Sequence, residues 1–196
     1  MQSKDRINDF VVQIATVNGT GSSSANTLLM KAIFRMGIPV VGKNYFPSNI
    51  QGLPTWYEIR VTGEGHLARS SKVDIMVAMN AQTYTEDLAS VVTNGVLIYD
   101  SSWPRAELED RSDITVLPVP LSKMCNESFT GARARILMKN IAYVGAVAAL
   151  VEIDRDIVRQ LLSETFVDKP NLVDSNMQAF ELGYDYSQTE FNCPLE

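Results

Sequence analysis

An apolar run, a glycine- and serine-rich loop and an amphipathic segment follow one another near the start of the chain. The run Phe10–Thr16 is rich in β-branched side chains, which predicts a strand buried on both faces. Residues Ser22–Met36 carry apolar side chains at helical spacing, and Gly37 provides a natural C-terminal cap. The loop between them, Asn18–Ser24, offers backbone N–H groups and hydroxyls at a helix N-terminus, where phosphates and carboxylates bind. This β-loop-α unit favours an α/β fold with a candidate anion site.

Strand and helix patterns alternate through the rest of the chain. They predict a three-layer α/β/α sandwich with a mixed, mostly parallel sheet. Further strands are expected at Ile38–Val41, Thr55–Thr62, Val73–Met79, Gly95–Tyr99 and Ile114–Pro118, and further helices at Thr83–Val91, Ala132–Leu150, Asp154–Phe166 and Leu172–Tyr186. Residues 66–70 are expected to pair back onto the strand 55–62 as a hairpin. Because the sequence after Tyr186 is polar and aperiodic, we expect one domain over residues 1–186 and the start of a linker to a further domain at 187–196.

Composition argues against several classes of protein. The chain has 196 residues, 45% of them hydrophobic, and a formal net charge of −6, which disfavours a nucleic-acid-binding protein. There is no run of about 18 apolar residues, so no membrane span is expected, and the polar start is unlike a signal peptide. The expected location is therefore cytoplasmic. The two cysteines, Cys125 and Cys193, are far apart, which predicts neither a disulfide framework nor a metal or iron–sulfur site on this chain.

Five blocks of sequence together resemble one enzyme family. They are NGTGSSSANTLLMKAIFRMG, YFPSNIQGLPTWYEIRV, VDIMVAMN, KNIAYVGAVAAL and NMQAFELG. In this order they resemble the gamma domain of 2-oxoacid:ferredoxin oxidoreductases, from about Asp9 to Tyr186, and most of all the gamma part of a fused gamma-alpha subunit. The resemblance implies a complex that converts a 2-oxoacid such as pyruvate or 2-oxoglutarate, coenzyme A and oxidised ferredoxin into acyl-CoA, CO₂ and reduced ferredoxin.

The resemblance also implies which parts of such a complex bind the cofactors and which shape the substrate entrance. Thiamine diphosphate, magnesium and a [4Fe-4S] cluster would be bound by other domains, so this chain would bind no cofactor alone and would be inactive in isolation. Its partners would be the alpha and beta parts, with ferredoxin reached through the complex, and a homodimer is a further option. The gamma domain of the family lies beside the coenzyme A entrance, so this chain would help to assemble the subunits and to shape that entrance.

The resemblance places candidate entrance residues in two loops and one strand, and it assigns no catalytic residue and no metal ligand to this chain. Serines stand where the family's loop frequently has glycines, which favours anion contact through hydroxyls and N–H groups over tight pyrophosphate binding. Arg60 could bind a carboxylate or form a structural ion pair. Arg133, Arg135 and Lys139 could form a polar stripe or contact coenzyme A phosphates. The entrance candidates are Gly19, Thr20, Gly21, Ser22, Asn26, Asn49, Gln51, Gly52 and Arg60.

Two other functions stay open on the sequence alone. One is a stand-alone small-molecule binding or regulatory module, in which the loop 18–24 is a tight turn with a serine N-cap. The other is a Rossmann-type NAD-dependent enzyme. The dinucleotide fingerprint G-x-G-x-x-G has Ser24 at its third glycine position, and Val41-Gly42-Lys43 occupies the region where its acidic residue is expected. Both departures disfavour the NAD enzyme.

Overall fold

Strands alternate with helices over most of the computed structural model, which describes residues 8–46, 50–66, 68, 72–103, 105, 108, 111–193 and 195. The strands are β1 (Asp9–Val17), β2 (Val40–Tyr45), β3 (Pro54–Thr62), β4 (Val73–Ala78), β5 (Val91–Asp100) and β6 (Thr115–Val119). The helices are α1 (Ser22–Arg35), α2 (Tyr84–Ser90), α3 (Leu121–Ser128), α4 (Ala132–Leu150), α5 (Arg155–Thr165) and α6 (Pro170–Glu190). Helix α3 has no counterpart among the predicted elements.

In the described residues, the strands form one mixed sheet in the order β2-β3-β1-β4-β5-β6. Strands β1, β4, β5 and β6 are parallel to one another, whereas β3 is antiparallel to both β1 and β2. The predicted mixed, mostly parallel sheet is therefore confirmed. The residues that follow the parallel strands meet at one end of the sheet, which we call the carboxyl end. Because β3 is antiparallel, its first residue, Pro54, pairs with Val17 at this same end.

Helices cover the two faces of the sheet unequally. Helices α1, α4, α5 and α6 enclose the larger core with sheet residues such as Val12, Ile14 and Ile98. The opposite face, which includes Ala15 and Met76, packs against the short helix α2. The α/β class is confirmed, and the second helical layer is much thinner than the first. None of the helices in the described residues is long and apolar enough to cross a bilayer.

Several predicted boundaries differ from the structure: β2 ends at Tyr45 rather than Val41, and β5 begins at Val91 rather than Gly95. Strand β3 pairs with β1 and β2 rather than with a hairpin partner, and His66 is in coil; Leu67, Arg69 and Ser70 lie outside the described residues. Helix α6 continues to Glu190, four residues beyond the predicted end, and Ser187 is fully buried. The first residues predicted as linker are therefore helical, because one side of this polar turn packs against the domain. A linker to a further domain stays a prediction.

Candidate functional site

Asn18 joins two loops at the carboxyl end of the sheet. Its backbone N–H donates to the Leu53 carbonyl at 2.8 Å, and its own carbonyl accepts from the Gly52 N–H at 3.0 Å. Its side-chain Nδ2 also donates to the Ile50 carbonyl at 3.2 Å. The loop between β1 and α1 and the segment 50–53 before β3 therefore form one continuous wall. The structure thus brings Gln51 and Gly52 beside the glycine loop, although they are about 30 residues apart in sequence.

Two glycines of this wall have to lack a side chain. Gly19 and Gly21 have φ values of +87° and +82°, in the left-handed region that favours glycine. A Cβ atom on Gly19 would lie 2.6 Å from Cγ of Gln51, and one on Gly21 would lie 2.4 Å from Cδ2 of Leu137. The side chains of Gln51 and Leu137 thus pack against the loop at these two glycines. Thr20 lies between the two glycines, and its hydroxyl donates to the Val17 carbonyl at 2.8 Å.

The first turn of α1 has no side-chain cap. Gly21 takes the N-cap position, so the predicted serine N-cap is wrong. Ser22 is buried, and its Oγ accepts from the Thr16 hydroxyl at 2.9 Å, which turns it away from the turn's N–H groups. Ser23 and Ser24 are exposed. This helix end carries partial positive charge and two accessible hydroxyls, an arrangement that suits a phosphate or carboxylate group of a ligand.

Asn26, another predicted entrance residue, is inside the protein. It is 1% exposed, and its Oδ1 accepts from the Tyr143 hydroxyl at 2.8 Å. Burial raises the pKa of Tyr143, so this hydroxyl remains a donor. The Asn26–Tyr143 bond ties α1 to α4 beneath the loop. Asn26 therefore supports the wall from below and does not face the entrance.

Arg60 is a second predicted entrance residue that lies away from this wall. Arg60 lies six residues after Pro54 on β3, which is about 20 Å along the strand from the carboxyl end. Its guanidinium pairs with Asp9 and donates to the Val61 carbonyl at 2.8 Å. The structural ion pair thus accounts for Arg60 better than a ligand contact does. Asn49 lies outside the described residues.

Helix α4 contributes a residue that sequence reasoning missed. Asn140 is 5% exposed, and its Nδ2 donates to the Thr20 carbonyl at 2.8 Å. This bond spans 120 residues of sequence and fixes the middle of the glycine loop to α4. The sequence does contain a signal for this contact. Asn140 stands just before a long apolar helical run, where a polar side chain that becomes buried needs a hydrogen-bond partner.

A second polar cluster lies beside Asn140, around the last residue of β5. The Asp100 carboxylate accepts from the backbone N–H groups of Ser122 at 3.1 Å and Ser102 at 3.2 Å, and from the Ser122 hydroxyl. The Lys139 ammonium lies 3.6 Å from Asp100 Oδ2 and donates to Ser122 Oγ at 3.2 Å. This pairing holds a partly exposed cation at the carboxyl end. The sequence signal for this cluster was Asp100, an acidic residue that directly follows the predicted strand Gly95–Tyr99.

An exposed aromatic side chain completes the surface around this cluster. Trp103 is 67% exposed in the turn after Asp100, one residue from Ser102. The carboxyl end thus combines a helix N-terminus, free hydroxyls, an ammonium group and an open indole. Such a surface can bind a negatively charged group that is attached to an apolar or aromatic body.

The described residues do not provide the ligands for an iron–sulfur cluster or a metal ion. No group of three or more histidine, cysteine, aspartate or glutamate side chains converges within them. Burial raises the pKa of the Cys125 thiol to about 11 and also raises that of Cys193. Both thiols thus favour the neutral form.

Comparison with known proteins identifies the family. The family model described as pyruvate ferredoxin/flavodoxin oxidoreductase matches residues 11–186. The chain belongs to this family. Among curated members, the chain is 22% identical to subunit alpha of 2-oxoacid:ferredoxin oxidoreductase 2 from Aeropyrum pernix over 95% of its own length. It is 26% identical to the ketoisovalerate oxidoreductase subunit VorA of Methanothermobacter marburgensis over 59% of its length.

Solved structures of pyruvate ferredoxin/flavodoxin oxidoreductase relatives share the fold. A 2-oxoglutarate:ferredoxin oxidoreductase from Magnetococcus marinus, solved with 2-oxoglutarate, coenzyme A and succinyl-CoA bound, superposes with a TM-score of 0.82 at 21% identity over 97% of this chain. The pyruvate oxidoreductase subunit PORC of Thermotoga maritima gives a TM-score of 0.72 at 17% identity over 91%. The gamma subunit of a keto/oxoacid ferredoxin oxidoreductase from Geobacter sulfurreducens gives 0.71 at 16% over 92%.

The fraction of each relative that this chain covers falls into two groups. The chain spans 35% and 23% of the lengths of the two curated relatives and 33% of the Magnetococcus marinus chain. It spans 97% and 99% of the Thermotoga maritima and Geobacter sulfurreducens subunits. The same fold thus occurs in this family both as a separate subunit and as about a third of a longer one.

Proposed function

We propose that the chain is the gamma domain of a thiamine-diphosphate-dependent 2-oxoacid:ferredoxin oxidoreductase. The complex would convert a 2-oxoacid, coenzyme A and oxidised ferredoxin into acyl-CoA, CO₂ and reduced ferredoxin. Membership of the family and the gamma subunits that share its fold support this function. In such a complex the alpha and beta parts would supply the reaction centre. A cytoplasmic location remains a prediction from the polar start of the sequence.

Within that complex, the carboxyl end of the sheet would form one wall of the coenzyme A and substrate entrance. The observation that carries this proposal is the link from the glycine loop through Asn140 to Lys139. Asn18 joins the two loops, Asn140 holds the Thr20 carbonyl, and Lys139 adds a cation next to it. Three separate stretches of sequence thereby converge on one surface that suits an anionic ligand.

Coenzyme A matches the chemistry of this wall. Its phosphates are multiply charged, so the Lys139 ammonium and the free N–H groups of the first turn of α1 would bind and orient them. Its neutral amide-containing arm can exchange hydrogen bonds with the Gln51 side chain. In this role the chain positions the substrate and excludes water, and it contributes no group to bond making or breaking.

Exposed apolar side chains around the wall support a role in assembly. Five of them lie on the segments that form or flank the carboxyl end, and each exposes more than a third of its surface: Phe46, Ile50, Leu53, Trp103 and Ile136. Apolar groups of this size on one side of a domain indicate a protein contact. The alpha part of the same oxidoreductase is the partner that would bring a reaction centre to this wall.

A charge-removing variant tests the entrance role. In the assembled complex, Lys139→Met should raise the KM for coenzyme A by roughly tenfold with little change in kcat, because one charge-assisted contact to a phosphate is lost. Lys31→Met removes an exposed lysine from α1 and is the matched control, with no change expected. Steady-state ferredoxin reduction at varied coenzyme A gives both constants. An unchanged KM for coenzyme A in Lys139→Met would refute the entrance role.

The two alternatives predict different binding data. A regulatory module or a Rossmann enzyme should bind its ligand without the oxidoreductase partners. Calorimetry of the chain with NAD should show no binding if the proposed function is right. Tight NAD binding would restore the Rossmann alternative.

A further inference from the structure

The Asp100 carboxylate at the end of β5 is held in place by backbone N–H groups. It is 8% exposed, and the Ser122 N–H donates to both of its oxygens, at 3.1 and 3.2 Å. The Ser102 N–H donates to Oδ1 at 3.2 Å. These donors, one of them in the first turn of α3, offset the loss of water around a buried negative charge. Asp100 is therefore a fixed anchor that does not need a cation in direct contact.

The Ser122 hydroxyl stands between this carboxylate and the Lys139 ammonium. It donates to Oδ2 of Asp100 and accepts from Nζ of Lys139 at 3.2 Å. Nζ itself lies 3.6 Å from the same Oδ2. A direct hydrogen bond between an ammonium and a carboxylate is shorter, about 2.7–2.9 Å. One hydroxyl thus links the two charges and keeps them from direct contact.

The backbone of Lys139 is fixed, so the position of its ammonium depends on the side chain. The neighbouring residue Asn140 is buried and donates to the Thr20 carbonyl at 2.8 Å, which ties this turn of α4 to the glycine loop. The lysine stem is long and flexible, and holding it in one conformation costs entropy. The hydrogen bond to Ser122 Oγ selects one position for a side chain that would otherwise sample several.

The Lys139 ammonium also keeps a donor for a ligand. It has three N–H groups, and within the part of the chain that the structure describes, Ser122 and Asp100 can engage two of them. The Lys139 side chain is 29% exposed, so the remaining N–H is accessible to a group from solution. A cation held in this way can bind an anion without first leaving a direct salt bridge.

We propose that Ser122 is a positioning residue of the coenzyme A entrance: its hydroxyl holds the Lys139 ammonium away from Asp100 and so keeps it available to a phosphate of the ligand. This inference rests on the proposed function, because it concerns the cation of that same entrance. Without the hydroxyl, the ammonium would move into direct contact with Asp100 or sample several rotamers. Either change weakens phosphate binding and leaves bond making and breaking untouched.

Ser122→Ala tests this role because it removes the hydroxyl and no charge. The backbone N–H of residue 122 still donates to Asp100. In the assembled complex, the variant should raise the KM for coenzyme A roughly threefold with little change in kcat, as expected for the loss of one hydrogen bond. Ser128→Ala makes the same change at the other end of α3 and should leave both constants unchanged. Circular dichroism checks that both variants are folded.

The Lys139→Met background separates positioning from a direct contact between the hydroxyl and the ligand. If Ser122 acts through the ammonium, Ser122→Ala should add nothing to the raised KM of Lys139→Met. An additive effect in the double variant, or a fall in kcat as large as that in kcat/KM, overturns the inference. A raised KM in Lys139→Met with an unchanged KM in Ser122→Ala overturns this inference alone. An unchanged KM in both single variants overturns it together with the entrance role.

Discussion

Asp87 is a buried carboxylate that is held by two neutral donors. It is 1% exposed on α2, and its oxygens accept from Trp56 Nε1 and the Thr83 hydroxyl, both at 2.7 Å. Trp56 lies on β3, so these bonds fix the thin second layer to the sheet. Burial disfavours the charged form and raises the pKa of Asp87 to about 6, with a smaller contribution in the same direction from Glu86.

This raised pKa predicts a pH-dependent stability. An aspartate in an unfolded chain has a pKa of about 3.9, so the fold favours the protonated form. The corresponding stabilisation is complete below about pH 4 and is lost as the pH rises through about 6. Relative to Asp87→Asn, which stays neutral, the wild-type chain should lose about 2–3 kcal/mol of unfolding free energy between about pH 4 and pH 7.5.

Urea denaturation at both pH values measures this difference. Asp174→Asn, at an exposed position on α6, is the matched control and should follow the wild-type pH profile. Parallel profiles for wild type and Asp87→Asn would show that Asp87 titrates as an ordinary exposed acid.

Helices α4 and α6 approach so closely that their backbones touch. A Cβ atom on Gly145 would lie 1.9 Å from the carbonyl oxygen of Phe180, and one on Gly183 would lie 1.8 Å from that of Ala142. Each glycine therefore accommodates a carbonyl group of the other helix. The apolar second half of α4, which is buried from Asn140 to Leu150, depends on this crossing because α6 covers it.

Gly145→Ala should consequently destabilise the protein. Helix propensity alone predicts a gain of about 1 kcal/mol for this change inside a helix. The clash with rigid backbone should outweigh that gain and cost about 3 kcal/mol, at the upper end of the range for overpacking. Thermal or urea unfolding gives the sign directly. A stabilised Gly145→Ala variant would mean that the two helices are further apart than described.

Elements with a strong local pattern could be predicted from the sequence. The apolar run of β1, the periodicity of α1 and the long apolar α4 each identify one element without reference to the rest of the chain. The partner of β3 could not be predicted, because strand pairing depends on which distant strand lies alongside. The end of α6 was missed because the burial of Ser187 comes from tertiary packing that a polar sequence does not reveal.

The same limit applies to the candidate site. The glycine loop was predictable because Gly19 and Gly21 stand between a strand and a helix pattern. Asn26 and Arg60 were predicted at the entrance, but Asn26 is buried and the Arg60 guanidinium pairs with Asp9. Asn140 was missed because its partner is 120 residues distant.

At the scale of the whole molecule, the groups that suit a ligand or a protein partner lie together at one end of the sheet. The loops, the Lys139 cation and the exposed apolar side chains lie at the carboxyl end of the sheet. The chain also spans about a third of the longer relatives and nearly all of the separate subunits. The grouping of these side chains and the coverages support a domain that functions in contact with partner domains, which is the central claim of the proposed function.

Reconstitution of the oxidoreductase with and without this chain tests that claim most directly. The alpha and beta parts alone should reduce ferredoxin poorly with 2-oxoacid and coenzyme A, and addition of the chain should restore activity that saturates with coenzyme A. Lys139→Met should restore it with the raised KM given above. A complex whose rate and coenzyme A dependence are the same with and without the chain would contradict the account.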